Sequence, residues 1–259
     1  MEPNTVMILF SLLFGLAFGS FINVCIYRIP LKKSIIFPPS SCPNCEHRIK
    51  FYDNIPVFSY LLLRGKCRYC HTHIPIHYPV VELLTGLLSM ALFIRYGLSY
   101  QYILSFLFLI ALLLISFIDL HHQIIPDILS IPGIFAGIAV SFIPGHLTWP
   151  DSIIGAVGGG GILYLIALVY KKVTGRDGMG GGDVKLLAMI GAWMGWRALP
   201  FIILLSSLSG IVIGGGALMM AEKGYRVRIP FGPFLSLGAI IYFFFGRQIL
   251  IWYYHLFLV

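Results

Sequence analysis

Gly178-Met179-Gly180-Gly181-Gly182-Asp183-Val184-Lys185-Leu186 decides how the rest of the chain is read. Four of the five residues before Asp183 are glycine, and an apolar run begins directly after it. Without a Cβ, glycine lets backbone approach backbone or a bound peptide closely. A loop of this kind delivers a carboxylate to the mouth of an apolar helix, where a charge is expensive to place. The plainer role for Asp183 is to start that helix, which its dipole favours. The remaining carboxylates decide between the two.

Working outward, the chain reads as an all-α polytopic membrane protein. Of its 259 residues, 58% are hydrophobic and only 11% charged, with a mean hydropathy of +0.90. Soluble domains carry about 25% charged residues. Eight segments are apolar enough to be spans, near 5–27, 79–96, 100–118, 127–144, 152–170, 184–195, 199–220 and 231–256. The sixth is short for a bilayer and requires Asp183 to lie in a cleft or the helix to tilt. The first, apolar over 6–26, is too long for the core of a cleavable leader.

Basic residues orient these spans. Fifteen of the 18 Lys and Arg residues fall in the segments on one side, and only Arg95, Arg197 and Arg247 fall elsewhere. The positive-inside rule then puts both termini outside and those segments in the cytoplasm. The same distribution accounts for the net charge of +8, so the charge is no footprint for nucleic acid.

Residues 28–78 form the one polar stretch large enough for a small domain, and a unit of that size needs a staple. Cys42-Pro43-Asn44-Cys45 and Cys67-Arg68-Tyr69-Cys70 supply one. Two such pairs place four thiolates for a tetrahedral, structural Zn2+. Two disulfides are the competing arrangement, disfavoured in a reducing cytosol. His47, His71, His73 and His77 are spare once four thiolates complete the site, and Cys25 reads as a buried apolar thiol. On the fifth span, Gly158 to Gly161 read as a close helix-packing face.

Acidic residues are few enough to weigh singly. Glu46, Asp53, Asp177 and Glu222 sit in loops and read as solvated. Glu82, Asp119, Asp127 and Asp183 lie at span boundaries on one side. Asp119 ends the third span, where the helix dipole opposes an acid, so capping does not account for it. Asp127 follows Pro126 and opens the fourth span, a favourable place that needs no other reason. Asp119 and Asp183 thus come from different helices to one level, as a two-carboxylate catalyst requires. Two nearby carboxyls share a proton, one activating water and the other donating to the scissile carbonyl oxygen.

The chain resembles the type IV prepilin leader peptidase/N-methyltransferase family of GxGD-type membrane aspartyl proteases. The elements are Gly19-Ser20-Phe21-Ile22-Asn23-Val24, both cysteine pairs, Tyr52-Asp53-Asn54-Ile55-Pro56-Val57 and Tyr78-Pro79-Val80-Val81-Glu82-Leu83-Leu84-Thr85-Gly86. Asp119, Ile125-Pro126-Asp127 and the glycine-rich stretch complete them. The resemblance implies Asp119 and Asp183 as the catalytic dyad and S-adenosyl-L-methionine as a methyl donor. Its substrates would be type IV prepilins or type II secretion pseudopilins, cut at the cytoplasmic face of the bacterial inner membrane and then N-methylated.

With that resemblance, the expected division is a first transmembrane helix (1–27), a cytoplasmic zinc-knuckle domain associated with methyl transfer (28–78) and a transmembrane peptidase domain (79–259). Glu82, at the start of the second span, is the expected participant in the methyl-transfer half. Its simpler role is to oppose the helix dipole. An ion-coupled transporter using Asp119 and Asp183 is one other reading, and a noncatalytic zinc-containing assembly protein is the second. The first is disfavoured because both acids lie at one face and no inverted repeat is visible.

Overall fold

The computed structural model describes residues 5–175, 180–214, 216 and 230–257. Gly178 and Met179 of the glycine-rich stretch, Arg176, Asp177 and residues 217–229, Glu222 among them, lie outside the described residues. Among the described residues the chain is helical, with only two isolated antiparallel bridges. Each expected span corresponds to a helix: α1 (Thr5–Arg28), α3 (His77–Tyr96), α4 (Tyr100–His122), α5 (Asp127–Val140), α6 (Trp149–Thr174), α7 (Gly181–Met194), α8 (Leu199–Ser209) and α9 (Gly232–Phe257). A short helix α2 (Phe58–Leu62) lies in the polar stretch, after a 3₁₀ turn at Phe51–Asn54.

Six of these stretches are long and apolar enough to cross a membrane, α8 counting with the turn before it and the π turn after it. The protein is a multi-pass membrane protein. Helices α5 and α7 have 14 residues each, which is about 21 Å of rise against a hydrocarbon core of about 30 Å. Both short helices pack side by side. The Trp193 indole N–H donates to the Gly133 carbonyl at 2.8 Å, and Met189 lies against Gly133. Shortness is tolerable because the α7 core residues Leu186, Leu187, Met189 and Ile190 are buried in protein.

The chain divides into two compact units, residues 1–114 and 115–259, with the division inside α4. In the first, α1 and α3 meet through small residues. Ser89 donates to the Ser11 carbonyl at 2.7 Å and also bonds the Tyr102 hydroxyl at 2.7 Å. Small side chains allow backbones to approach where lipid offers no hydrophobic drive for helix association.

In the second unit, α6 and α7 touch backbone to backbone at Gly155 and Gly191. A Cβ on either would collide with the other's carbonyl. The close-packing face expected at Gly158 to Gly161 is therefore centred elsewhere. Gly155 and Gly159, one turn apart, carry it, while a Cβ on Gly161 would meet nothing within 4 Å. The block of four consecutive glycines spans all sides of a helix, whereas a packing face recurs every three or four residues, as from Gly155 to Gly159.

Candidate active site and metal centre

Four helix ends of the second unit gather at one level. Asp119 lies in the last turn of α4 and is buried, 5% exposed. The helix stops at His122 because Gln123 takes φ 54° and Ile124-Ile125-Pro126 runs extended, Pro126 then starting α5. Asp127 occupies the first turn of α5 and Asp183 the first turn of α7.

Ile125 is the hinge pin of this end. A Cβ on Gly182, the residue before Asp183, would sit 2.9 Å from the Ile125 Cβ. A Cβ on Gly232, the first residue of α9, would sit 3.2 Å from the Ile125 Cδ1 and 2.6 Å from Asp119 Oδ2. The Gly232 backbone N–H donates to that Oδ2 at 3.1 Å, a buried bond across 113 residues of sequence. Thus the turn carrying Asp183 and the donor holding Asp119 lie against one isoleucine side chain. Asp183 is half-buried, and Gly180 and Gly181 before it are side-chain-free, which leaves its approach open.

Asp127 accepts from Lys185 Nζ at 2.7 Å, a tie between α5 and α7 that sequence alone did not reveal. Lys185 follows Asp183 by two residues, and Asp127 follows Ile125 by two. Gly232 was also missed. Its signal was Phe231-Gly232-Pro233-Phe234, a glycine opening an apolar helix as Gly182 does, but without a carboxylate beside it.

In the first unit the cysteines form two turns of one design. Cys42 N–H bonds the His47 carbonyl and Glu46 N–H the Cys42 carbonyl. Cys67 to Thr72 and His71 to Cys67 repeat the pattern. Glu46 and His71, each following the second cysteine of its pair, both take positive φ, 57° and 56°. The four Sγ atoms lie within 4.8 Å of one another, with Cys42–Cys70 at 3.7 Å and Cys45–Cys67 at 4.0 Å. Four sulfurs about 2.3 Å from a tetrahedral zinc would stand about 3.8 Å apart, so the cluster fits the metal. All four thiols are free rather than disulfide-bonded.

Two of the thiols, Cys70 and Cys45, are pushed in opposite directions. The Thr72 hydroxyl, with its backbone N–H and Asn44, lowers the Cys70 thiol to about 5. Cys45 gains a lowering bond from the His47 backbone, yet burial and the other three sulfurs push it up to about 12. A divalent cation would remove that conflict, since all four thiolates would face one positive charge.

Two acids of this unit are more enclosed than a loop or helix-start role requires. Asp53, expected to be solvated, has a side chain only 7% exposed, gripped by the Arg68 guanidinium with Nε 3.0 Å from both carboxylate oxygens. The bidentate fork of arginine pays for its burial. Glu82 is buried, and its Oε2 accepts the Val57 backbone N–H at 2.7 Å. Val57 precedes α2 at φ 61°, a strained value for a β-branched residue, and the Glu82 bond holds it there. Beside this turn is a cavity of about 280 Å³ lined by Ser20, Phe21, Val24, Arg28, Ile36 and Asn54 among others.

Comparison with known proteins places the chain in a family. Residues 13–96 match the bacterial peptidase A24 N-terminal domain and residues 106–215 match the type IV leader peptidase family. A prepilin leader peptidase/N-methyltransferase of Aeromonas hydrophila is 37% identical, over 93% of this chain and 91% of its own length. Proteins of that name from Pseudomonas putida and Pseudomonas aeruginosa are 37% and 38% identical, covering 96% and 93% of this chain and 94% and 91% of their own. No solved structure matches significantly. On these similarities the chain belongs to the type IV leader peptidase family.

Proposed function

We propose that Asp119 and Asp183 are the dyad with which this chain, a prepilin peptidase and N-methyltransferase, cleaves its substrate. The observation that carries the reading is the meeting of Asp119's buried, Gly232-bonded carboxylate and the Asp183 turn on Ile125. One carboxylate accepts a proton from water, and that water attacks the scissile carbonyl. The other carboxyl donates its proton to the carbonyl oxygen. The first then passes the proton it took from water to the departing amine as the C–N bond breaks, and a hydroxyl of the tetrahedral intermediate returns a proton to the second. Two such groups titrate as a pair. The side-chain-free Gly180 and Gly181 give an extended peptide room beside Asp183.

The substrates are type IV prepilins or type II secretion pseudopilins, whose basic leader meets the dyad at the cytoplasmic face of the bacterial inner membrane. Both termini then lie outside, and residues 28–78 lie in the cytoplasm as the zinc-knuckle domain, with 79–259 as the peptidase domain. Cys42, Cys45, Cys67 and Cys70 would hold one Zn2+, which supplies rigidity rather than chemistry.

S-adenosyl-L-methionine supplies the methyl group for the new N-terminus. Small-molecule sites run to about 300–1,000 Å³. The cavity beside Ser20 is below that range, and its Arg28 guanidinium is committed to the Ser34 and Pro38 carbonyls. It does not fit the whole cofactor. Glu82 is assigned to orient the substrate's α-amine and accept its proton, since an amine of pKa about 7.7–8.0 must be neutral to attack.

The test is cleavage of a prepilin by purified Asp119→Asn and Asp183→Asn proteins that still insert in membranes. Loss in both supports the dyad. An active Asp119→Asn beside a dead Asp127→Asn would sink it. For Glu82, leader release and methyl incorporation are measured on one substrate with Glu82→Gln. Cleavage without methylation supports the assignment, and normal methylation confines Glu82 to holding Val57.

A further inference from the structure

The polar stretch between α1 and α3 holds a segment that does not belong in water. Phe51, Phe58, Leu61 and Leu62 are 55–87% exposed, within the 3₁₀ turn and α2. Contiguous exposed apolar surface of this kind marks a binding face. What covers it follows from where the segment is tied.

Two hydrogen bonds fix its height. Glu82 of α3 accepts from Val57 N–H at 2.7 Å, and Ser20 Oγ of α1 donates to Asn54 Oδ1 at 3.4 Å. Those attachment points are level with each other, because a Cβ on Gly19 would sit 2.6 Å from the Glu82 Cα. Neither is at a helix end. Ser20 lies eight residues before Arg28, the last of α1, and Glu82 five residues after His77, the first of α3. At 1.5 Å per residue those offsets are about 12 Å and about 7.5 Å along the two spans. Residues 51–62 therefore fold back alongside the membrane helices.

We infer that residues 51–62 form an interfacial segment lodged in the headgroup and upper acyl region of the lipid bilayer, with Phe51, Phe58, Leu61 and Leu62 facing lipid. An amphipathic helix lying in the interface buries its apolar face about 5–10 Å deep, the depth set by these bonds. The lipid-facing surface of α1, with Leu13, Phe14 and Phe21 exposed, continues it. Charge agrees. The one acid of the segment, Asp53, is neutralised by Arg68 and hidden. Lys50 precedes the segment and Arg64 and Lys66 follow it, cations suited to anionic headgroups. Lys50 also lies over the Tyr52 ring, 5.6 Å from its centroid. The inference rests on α1 and α3 spanning the membrane and not on either enzymatic activity.

The test uses the full chain reconstituted in vesicles containing anionic lipid, with the photoreactive p-benzoylphenylalanine placed singly at Leu61, Phe51 or Glu46. Glu46 is exposed in the first cysteine turn and serves as the reference. Irradiation followed by mass analysis should give phospholipid adducts at Leu61 and Phe51 and few at Glu46, and they should persist when a prepilin is added. Prepilin cleavage by each labelled protein verifies that it is folded, and Phe51 stands in if the Leu61 protein is not. Absence of lipid adducts at the folded positions would overturn the inference. So would adducts that move from lipid to prepilin, which would make the face a substrate-docking surface.

Discussion

The cysteine cluster and the carboxylate pair are two ways of assembling a site. The cluster is local. Each half is an eight-residue turn, and the same hydrogen bonds and the same positive φ recur in both. The proposed dyad is tertiary, because Asp119 and Asp183 reach one level only through α4, α7 and α9 packing on Ile125. A local site can lose one donor without disturbing distant backbone. A tertiary site fails whenever any contributing helix end moves, since a misplacement of about 1 Å can cost about 100-fold in rate.

The largest effect separates the two directly. Asp119→Asn and Asp183→Asn should each lower prepilin cleavage by at least about 10²–10⁴-fold, the usual worth of a positioned acid or base. Zinc content should not change in either. A loss of zinc with the activity would show that the two sites are not independent.

A smaller but more telling loss is expected from Gly232→Ala. The added Cβ would sit 2.6 Å from Asp119 Oδ2, so either the carboxylate or the start of α9 must shift. Cleavage should fall by about 10–100-fold through kcat, with thermal stability little changed. Wild-type kcat in this variant would mean that the Gly232 contact does not position Asp119.

Removing one of the four clustered cysteines should reverse the pattern. Cys45→Ser should lower zinc below about one per chain and loosen residues 40–74 to hydrogen exchange. Its cleavage loss should be smaller than that of Gly232→Ala. Full zinc in Cys45→Ser would exclude a four-cysteine site.

Legibility in the sequence followed the same division. The cysteine cluster could be read from spacing because its geometry is set within each turn. The spans could be read from composition, because lipid demands long apolar helices whatever their neighbours. Asp119 stood out by lying where the helix dipole opposes it. Gly232 and Ile125 could not be read this way, since their roles exist only between helices that sequence does not place together. Asp53 misled for a related reason. Its partner Arg68 is 15 residues on, beyond the turn in which an acid's surroundings can be guessed.

The smallest effect concerns the Lys185–Asp127 pair, and it asks whether a half-exposed tie can serve a tertiary site. The Nζ–Oδ1 distance is 2.7 Å, with side chains 40% and 58% exposed. Exposed pairs of this kind contribute about 0.2–1 kcal/mol, and salt screens them. That would scarcely alter the stability of α5 and α7, already joined by the Trp193 bond to Gly133. Yet the pair spans the two turns that set the dyad, two residues from Asp183 on one side and two from Ile125 on the other. Lys185→Met and Asp127→Asn should therefore each lower cleavage only a few-fold, about 1.4–5-fold for that energy. The double variant should be no worse than either single one, because both remove the same tie. Raising salt should narrow the gap between wild type and variants. Additive losses in the double variant, insensitive to salt, would show that each residue acts separately and that the ion pair does not help to hold Asp183.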